Sequence, residues 1–88
     1  MRYEIDLENI TTKMQFHEKI RETIPCPDYY GGNLDALYDV LTEIGTDTQI
    51  ILENPAAVVE HLGRYGEAML STMQEAAENN PHLIIMLR

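Results

Sequence analysis

Apolar and polar positions alternate along the first residues of the chain and then change to a helical spacing. Residues 2–7 alternate apolar and charged side chains, which is typical of a strand with one buried face. Residues 14–24 repeat apolar side chains at helical intervals, and Thr11 or Thr12 can cap the start of that helix. The prolines at positions 25 and 27 end the helix and open a loop.

The clearest helical pattern lies at residues 34–44. Its apolar stripe consists of Leu34, Leu37, Leu41 and Ile44, at the i, i+3, i+7 and i+10 spacing of one helix face. Asn33 is a natural N-cap for this helix, and Gly45 is a natural end. Residues 29–33 contain two tyrosines and two glycines, and they are predicted to form a loop before the helix.

Two apolar segments of strand length and two further helical patterns complete the chain. Residues 49–53 contain three consecutive aliphatic side chains, which predicts a strand buried on both faces, as parallel strands are. Pro55 can begin a short helix that Gly63 ends. Residues 67–78 predict another helix, and the wholly apolar residues 83–87 predict a last strand after a turn. The expected core face of that last helix is Met69, Leu70 and Met73.

The order of these elements predicts an α/β fold. It runs strand, two helices, strand, two helices, strand, and parallel neighbours need such crossover connections. We therefore expect a three-stranded parallel sheet packed with about four helices. A chain of 88 residues rarely divides, so a single domain spanning residues 1–88 is expected.

The charge of the chain argues against two classes of ligand. Six lysine and arginine residues oppose 15 aspartate and glutamate residues, for a net charge of −9. Nucleic acids and anionic membranes attract the opposite balance, so we expect direct binding to neither. The acids are also clustered, because no lysine or arginine occurs between Arg21 and Arg64. A solvated surface that aids solubility and an acidic binding surface both fit this distribution.

The expected compartment is the cytoplasm. No apolar run approaches the ~18–20 residues that cross a bilayer, and residues 1–10 do not read as a secretory signal. Cys26 is the one cysteine of the sequence, so no internal disulfide can form. No metal-binding or cofactor-binding motif is present, and we expect no cofactor.

An acidic stack is predicted on the exposed side of the helix at residues 34–44. Steps of about 100° per residue place Asp35, Asp39 and Glu43 opposite the apolar stripe. Each like-charge i, i+4 pair costs roughly 0.2–0.5 kcal/mol. The helix dipole favours Asp35 in the first turn, but Asp39 and Glu43 lie too far along to benefit. A binding role and a merely solvated face are both consistent with this stack.

Tyrosines surround the stack in the sequence. Tyr29 and Tyr30 precede the helix, and Tyr38 borders its acidic side. Tyrosine is enriched at binding hot spots because it presents a rigid apolar ring with a polar tip. One or two of these rings can equally serve to cover the core. Carboxylates, aromatic rings and a glycine-containing loop together describe a surface for a basic, concave partner.

The segment YYGGNLDALYDVLT, residues 29–42, resembles the signature segment of the barstar family, and a weaker resemblance extends over the rest of the chain. The resemblance implies a three-stranded parallel sheet flanked by helices. It also implies an inhibitor, not an enzyme, that binds small extracellular microbial ribonucleases of the barnase type in a 1:1 complex. In that family the second helix and the loop before it plug the basic active site of the nuclease.

The resemblance also implies which side chains meet the partner. Asp39 would occupy the position meant for an RNA phosphate and meet the arginine and catalytic histidine groups of the nuclease. The other predicted partner-binding residues are Tyr29, Tyr30, Gly31, Asn33, Asp35, Tyr38, Thr42 and Glu75. The chain departs from the best-known member at Tyr38, Glu43 and Ile44, where that protein has Trp, Gly and Trp. These departures bear on which nuclease is the target and how tightly it is held.

Other classes of function remain as alternatives. An enzyme could use Cys26 as a nucleophile with a histidine as base, but no nucleophile elbow, phosphate loop or paired metal motif supports one. The candidate bases are His17, His61 and His82. Asp35 and Asp39 could contact a divalent cation, yet a straight helix presents carboxylates poorly for full coordination. An acidic interaction module that binds a non-nuclease basic partner is the stronger alternative.

Overall fold

The computed structural model describes residues 1–88, which form a three-stranded parallel sheet and four helices. In chain order the elements are β1 (Arg2–Asp6), α1 (Lys13–Thr23), α2 (Leu34–Thr42), β2 (Thr48–Glu53), α3 (Pro55–Leu62), α4 (Arg64–Glu78) and β3 (Leu83–Leu87). The strands lie side by side in the order β1-β2-β3, and both neighbouring pairs are parallel. The predicted α/β class, parallel sheet and helix number are confirmed.

The hydrophobic core lies between one face of the sheet and the helices. Alternate strand residues point into it, among them Ile5, Ile50 and Leu52, which are fully buried. The helices contribute Phe16, Ile20, Leu37, Leu41, Val58, Met69 and Met73. Burial of each large aliphatic or aromatic side chain contributes about 1.5–3 kcal/mol, so this layer dominates the stability of the fold.

The opposite face of the sheet is open and carries charge. Ile51 on the central strand is only 2% exposed, and its register neighbours are Glu4 on β1 and Met86 on β3. Arg88 donates to Glu4 at 2.8 Å and approaches Glu53 at 3.2 Å, and its hydrogen bond lowers the pKa of the Glu4 carboxyl. The sequence predicts that β2 is buried on both faces. On this second face the prediction holds at Ile51, which lies between the neighbouring strands.

The prediction for α4 was wrong at its start. The helix begins at Arg64, three residues before the predicted start at position 67. Gly63, with a φ of 57°, ends α3 and starts α4 without any side-chain cap, so a search for a polar cap misses this junction. Gly66 then lets the two helices meet closely, because a Cβ there would lie 2.4 Å from the carbonyl oxygen of Val58.

The core face of α4 also differs from the prediction at one position. Met69 and Met73 are buried as predicted, whereas Leu70 is only half-buried. Ala76 is fully buried and completes the row at i, i+4 and i+7 from Met69.

Candidate protein-binding face

Asn33 determines where α2 begins. Its backbone is extended, and its side-chain oxygen accepts a hydrogen bond from the amide of Ala36 at 2.8 Å, as predicted for an N-cap. The helix then buries Leu37 against the core and leaves Asp35 and Asp39 exposed on its other side. The N-cap thus fixes where the helix starts, and burial of Leu37 sets its rotation about its axis.

The carboxylates of Asp35, Asp39 and Glu43, called here the acidic face, are exposed and have no basic partner. The ion pairs of the protein join Arg2 and Arg88 to Glu4, Arg88 to Glu53, and Arg21 to Glu18, and His82 is hydrogen-bonded to Asp47. All of them lie off α2. The predicted like-charge stack is therefore present with nothing to neutralise it, and its repulsion is retained in the free protein.

A shallow depression of about 160 Å³ lies between this helix and the loop at residues 29–33. Tyr29, Gly31, Asp39 and Glu43 contribute to its lining. The ring of Tyr29 is 83% exposed, although it is a large aromatic side chain in a small protein. A concavity with carboxylates on one side and an exposed ring on the other suits a cationic side chain.

A hydrogen-bond bridge joins the border of the acidic face to α4. The side-chain amide of Asn79 donates to the Tyr38 hydroxyl at 2.9 Å and to the Glu75 carbonyl at 3.1 Å. The bridge ties α2 to α4, the helix that carries the exposed Glu75. The Thr42 hydroxyl donates to the carbonyl of Tyr38 at 2.9 Å, so it serves the helix in the free protein.

Tyr30 differs from the other predicted site residues because its side chain points inward. It is only 5% exposed, and its hydroxyl lies 2.6 Å from Nδ1 of His17. Burial raises the pKa of its phenol. This ring covers the core, as the alternative interpretation of the tyrosines allows, whereas Tyr29 beside it faces solvent.

Asn80 is a supporting residue that sequence reasoning missed. Its buried side-chain amide donates to the carbonyl oxygens of Leu41 and Ile44, both at 2.9 Å, and its oxygen accepts from the amide of His82 at 2.9 Å. The residue thereby satisfies carbonyls that the end of α2 leaves unpaired. The sequence predicts only a turn here, because the contact joins residues 39 positions apart.

The groups considered for catalysis are engaged elsewhere. His61 Nδ1 lies 3.1 Å from the carbonyl oxygen of Ile10, and His82 Nδ1 lies 3.0 Å from Asp47. The Cys26 thiol points to the carbonyl of Ile20, and burial raises its pKa, which favours the unreactive thiol. No three His, Cys, Asp or Glu side chains come together as a metal site. None of the helices has the length and apolar character to cross a bilayer.

Comparison with known proteins decides the family. Residues 1–86 match the model of the family described as Barstar (barnase inhibitor). The chain belongs to the barstar family. A relative from Bacillus subtilis (strain 168), named "Putative ribonuclease inhibitor YrdF", is 38% identical over 74 residues, which are 83% of this chain and 78% of that protein. The resemblance predicted from residues 29–42 is confirmed, and the barstar match covers β1 through nearly all of β3.

We predict that Asn80→Ala lowers the free energy of unfolding by about 1–3 kcal/mol, because it leaves buried carbonyls of α2 without donors. Urea denaturation followed by circular dichroism measures the change. The matched control is Asn9→Ala at an exposed asparagine, which should stay within about 0.5 kcal/mol of the wild type. Equal stability of the two variants would show that the Asn80 contacts are not needed.

Proposed function

We propose that this protein inhibits a small basic ribonuclease of the barnase type, in a 1:1 complex, by inserting the acidic face and the loop at residues 29–33 into the active site. The observation that carries the proposal is the stack of exposed carboxylates without a basic partner. Membership of the barstar family, and a relative named as a ribonuclease inhibitor, support inhibition as the general activity.

Asp39 is the central residue of the proposed contact. It is exposed, lies in the middle of the stack, and borders the depression that also holds Tyr29. A ribonuclease site is a basic cleft built for phosphates, and a carboxylate accepts bidentate, charge-assisted hydrogen bonds from the same arginine side chains. In the complex Asp39 takes the place of an RNA phosphate, with Asp35 and Glu75 on either side.

The remaining predicted residues shape the rim of the contact. Tyr29 offers an exposed ring, Gly31 lines the depression, and the Thr42 hydroxyl lies one turn beyond Tyr38. Asn33 acts through the cap that starts the helix. These contacts exclude water from the charged centre, which is where the large binding contributions arise.

The proposed place of action is the cytoplasm, where an inhibitor protects the cell from a ribonuclease that it makes for export. The net charge of −9 is opposite to that of a basic nuclease. Opposite charges accelerate the encounter of the two proteins. The same negative charge repels acidic proteins and so disfavours binding to them. The protein binds and blocks, and the proposal includes no catalytic step.

The departures at Tyr38, Glu43 and Ile44 favour one second candidate. Glu43 is exposed and adds a charge to the acidic face, and Tyr38 is tied to Asn79. In this second candidate function, the acidic face binds a basic protein that is not a nuclease. A pull-down with the wild type and the Asp39 variant tests this candidate: a protein captured by the wild type alone that has no ribonuclease activity supports it, and a captured ribonuclease contradicts it.

We predict that Asp39→Ala weakens binding of the cognate ribonuclease by about 2–5 kcal/mol, because basic groups of the nuclease are left buried and unpaired. The measurement is a titration of each protein into a ribonuclease assay with a barnase-type enzyme. Wild type should inhibit stoichiometrically, and the variant should not at the same concentration.

The control for this variant is Glu60→Ala, which removes one exposed carboxylate from α3 and gives the same net charge. Glu60→Ala should inhibit nearly as the wild type does. Glu60→Ala should unfold at the urea concentration of the wild type, and Asp39→Ala at the same or a slightly higher one, since neither side chain is buried and Asp39 repels Asp35 and Glu43. Equal affinity of Asp39→Ala and wild type would rule out the proposed binding mode.

We also predict that association with the nuclease slows as ionic strength rises. The acidic face attracts a basic cleft over distances that salt screens, about 10 Å at 0.1 M and 3 Å at 1 M. Stopped-flow mixing at a series of salt concentrations measures the rate constant. Asp35→Asn combined with Glu43→Gln should flatten the salt dependence; an association rate indifferent to salt in the wild type would exclude electrostatic steering.

A further inference from the structure

A second depression lies beside the acidic face, at the end of α2. Its volume is about 300 Å³. Ile24 and Val40, which are 2% and 7% exposed, form part of its apolar lining together with Ile44. It shares Pro27, Val40 and Glu43 with the depression of about 160 Å³ described above. The two depressions are therefore neighbours along α2, and Glu43 borders both of them.

Hydrogen bonds hold the chain that surrounds this second depression. The side-chain amide of Asn80 donates to the carbonyl oxygen of Ile44 at 2.9 Å. In the turn that follows α2, the Thr48 hydroxyl donates to the carbonyl oxygen of Thr46 at 2.8 Å. Because these backbone positions are already held, a group that enters the depression does not have to order them first.

The carboxylate of Glu43 is unfavourable for the free protein. Glu43 is exposed at the end of α2, lies one turn beyond Asp39 and makes no ion pair. The like-charge pair is repulsive, and a negative charge at the C-terminal end of a helix also meets the negative end of the macrodipole. No basic residue in the last turn of α2 offsets either effect. The charge of Glu43 therefore does not serve the stability of the fold.

The lining of the depression determines which occupant fits. It contains no lysine, arginine or histidine side chain, and its positive group is the N-terminal ammonium of Met1, which donates to the carbonyl oxygen of Asp47 at 2.8 Å. An apolar floor beside an unpaired carboxylate matches a group that is apolar along its length and positive at its end. Lysine and arginine have this form, because their aliphatic stems cover apolar surface while the charged end pairs with a carboxylate.

We propose that this depression is a second subsite for the nuclease and that Glu43 is a specificity-determining residue: an arginine or lysine of the nuclease places its stem against Val40 and Ile44 and pairs its charge with the Glu43 carboxylate. The inference rests on the proposed function, because it requires the nuclease to bind the acidic face. A nuclease with an apolar or acidic side chain at the matching position leaves Glu43 unpaired or repelled, and binds more weakly.

The first test removes the charge and keeps the shape of the side chain. Glu43→Gln should weaken binding of a barnase-type ribonuclease that the wild type inhibits by about five- to tenfold, since a basic group of the nuclease then lacks its carboxylate. The matched control is Glu60→Gln on α3, which changes the net charge equally away from the depression and should stay within about twofold. Surface plasmon resonance measures the dissociation constants. Undiminished binding by Glu43→Gln overturns the proposal.

Urea unfolding of the same variant separates a contact with the partner from a structural role. Glu43→Gln should unfold at the urea concentration of the wild type or at a slightly higher one, because the repulsion from Asp39 and from the helix dipole is removed. Weaker binding with unchanged or higher stability supports the subsite. Weaker binding with lower stability would attribute the loss to the fold of α2 and contradict it.

The second test fills the depression and keeps the charge. Gly45 contributes to the lining, its φ is not positive, and a Cβ at this position would meet no atom within 4 Å. Gly45→Leu therefore adds an apolar side chain without strain. It should exclude the stem of the basic residue and weaken binding about as much as Glu43→Gln does. Binding equal to that of the wild type would contradict the placement of the stem.

The third test identifies the occupant. Each lysine and arginine around the active site of the nuclease is replaced by alanine and measured against the wild type and Glu43→Gln. One replacement should weaken binding of the wild type about fivefold or more and binding of Glu43→Gln less than about twofold. Coupling to none of these residues overturns the proposal. A wild type that inhibits no nuclease overturns the proposed function and this inference with it, whereas inhibition that does not depend on Glu43 overturns this inference alone.

Discussion

The burial of one side of α2 is the interaction on which the arrangement of this protein depends. Leu37 and Leu41 are fully buried in the hydrophobic core, where α2 packs against α4, and each contributes about 1.5–3 kcal/mol. The like-charge pairs on the opposite side cost roughly 0.2–0.5 kcal/mol each. The free energy gained from burial therefore exceeds the repulsion between the carboxylates. The carboxylates lie together on the exposed side because burial of the apolar stripe fixes the orientation of the helix.

Contacts at the two ends of α2 hold its exposed carboxylates in one position. Asn33 caps the start locally, and Asn80 holds the end from a distant turn. Tyr38 is tied to α4 through Asn79, so the middle of the helix is restrained as well. A surface that is already ordered loses less conformational entropy on association, and a larger share of the contact energy then appears as affinity.

Sequence reasoning predicted the features that depend on local spacing. The apolar period places α2, the side chain of Asn33 marks its start, and alternation or runs of aliphatic residues place the strands. The acidic stack follows from the same helical period. The family itself is recognisable in residues 29–42 because the loop, cap and helix that form the face are contiguous in the chain.

The features that were missed depend on contacts between distant residues. Asn80 meets Leu41 across 39 positions, and Tyr65 meets His17 across 48. Nothing in the neighbourhood of either residue indicates its partner. The start of α4 escaped for a different reason: a glycine with positive φ replaces the polar cap that marks most helices. In each case the sequence contains the residue but not the geometry that gives it a role.

The structure divides its polar groups between two tasks. Neutral groups hold the loop at residues 29–33: the side chains of His17 and Tyr30 are buried, so dissolved ions have little effect on their hydrogen bond. Charged groups of α2 are exposed, and Arg21, which contacts the loop, is already engaged by Glu18 and the Tyr30 carbonyl. Salt therefore weakens the attraction of this face for a cation and has little effect on the buried hydrogen bond between His17 and Tyr30.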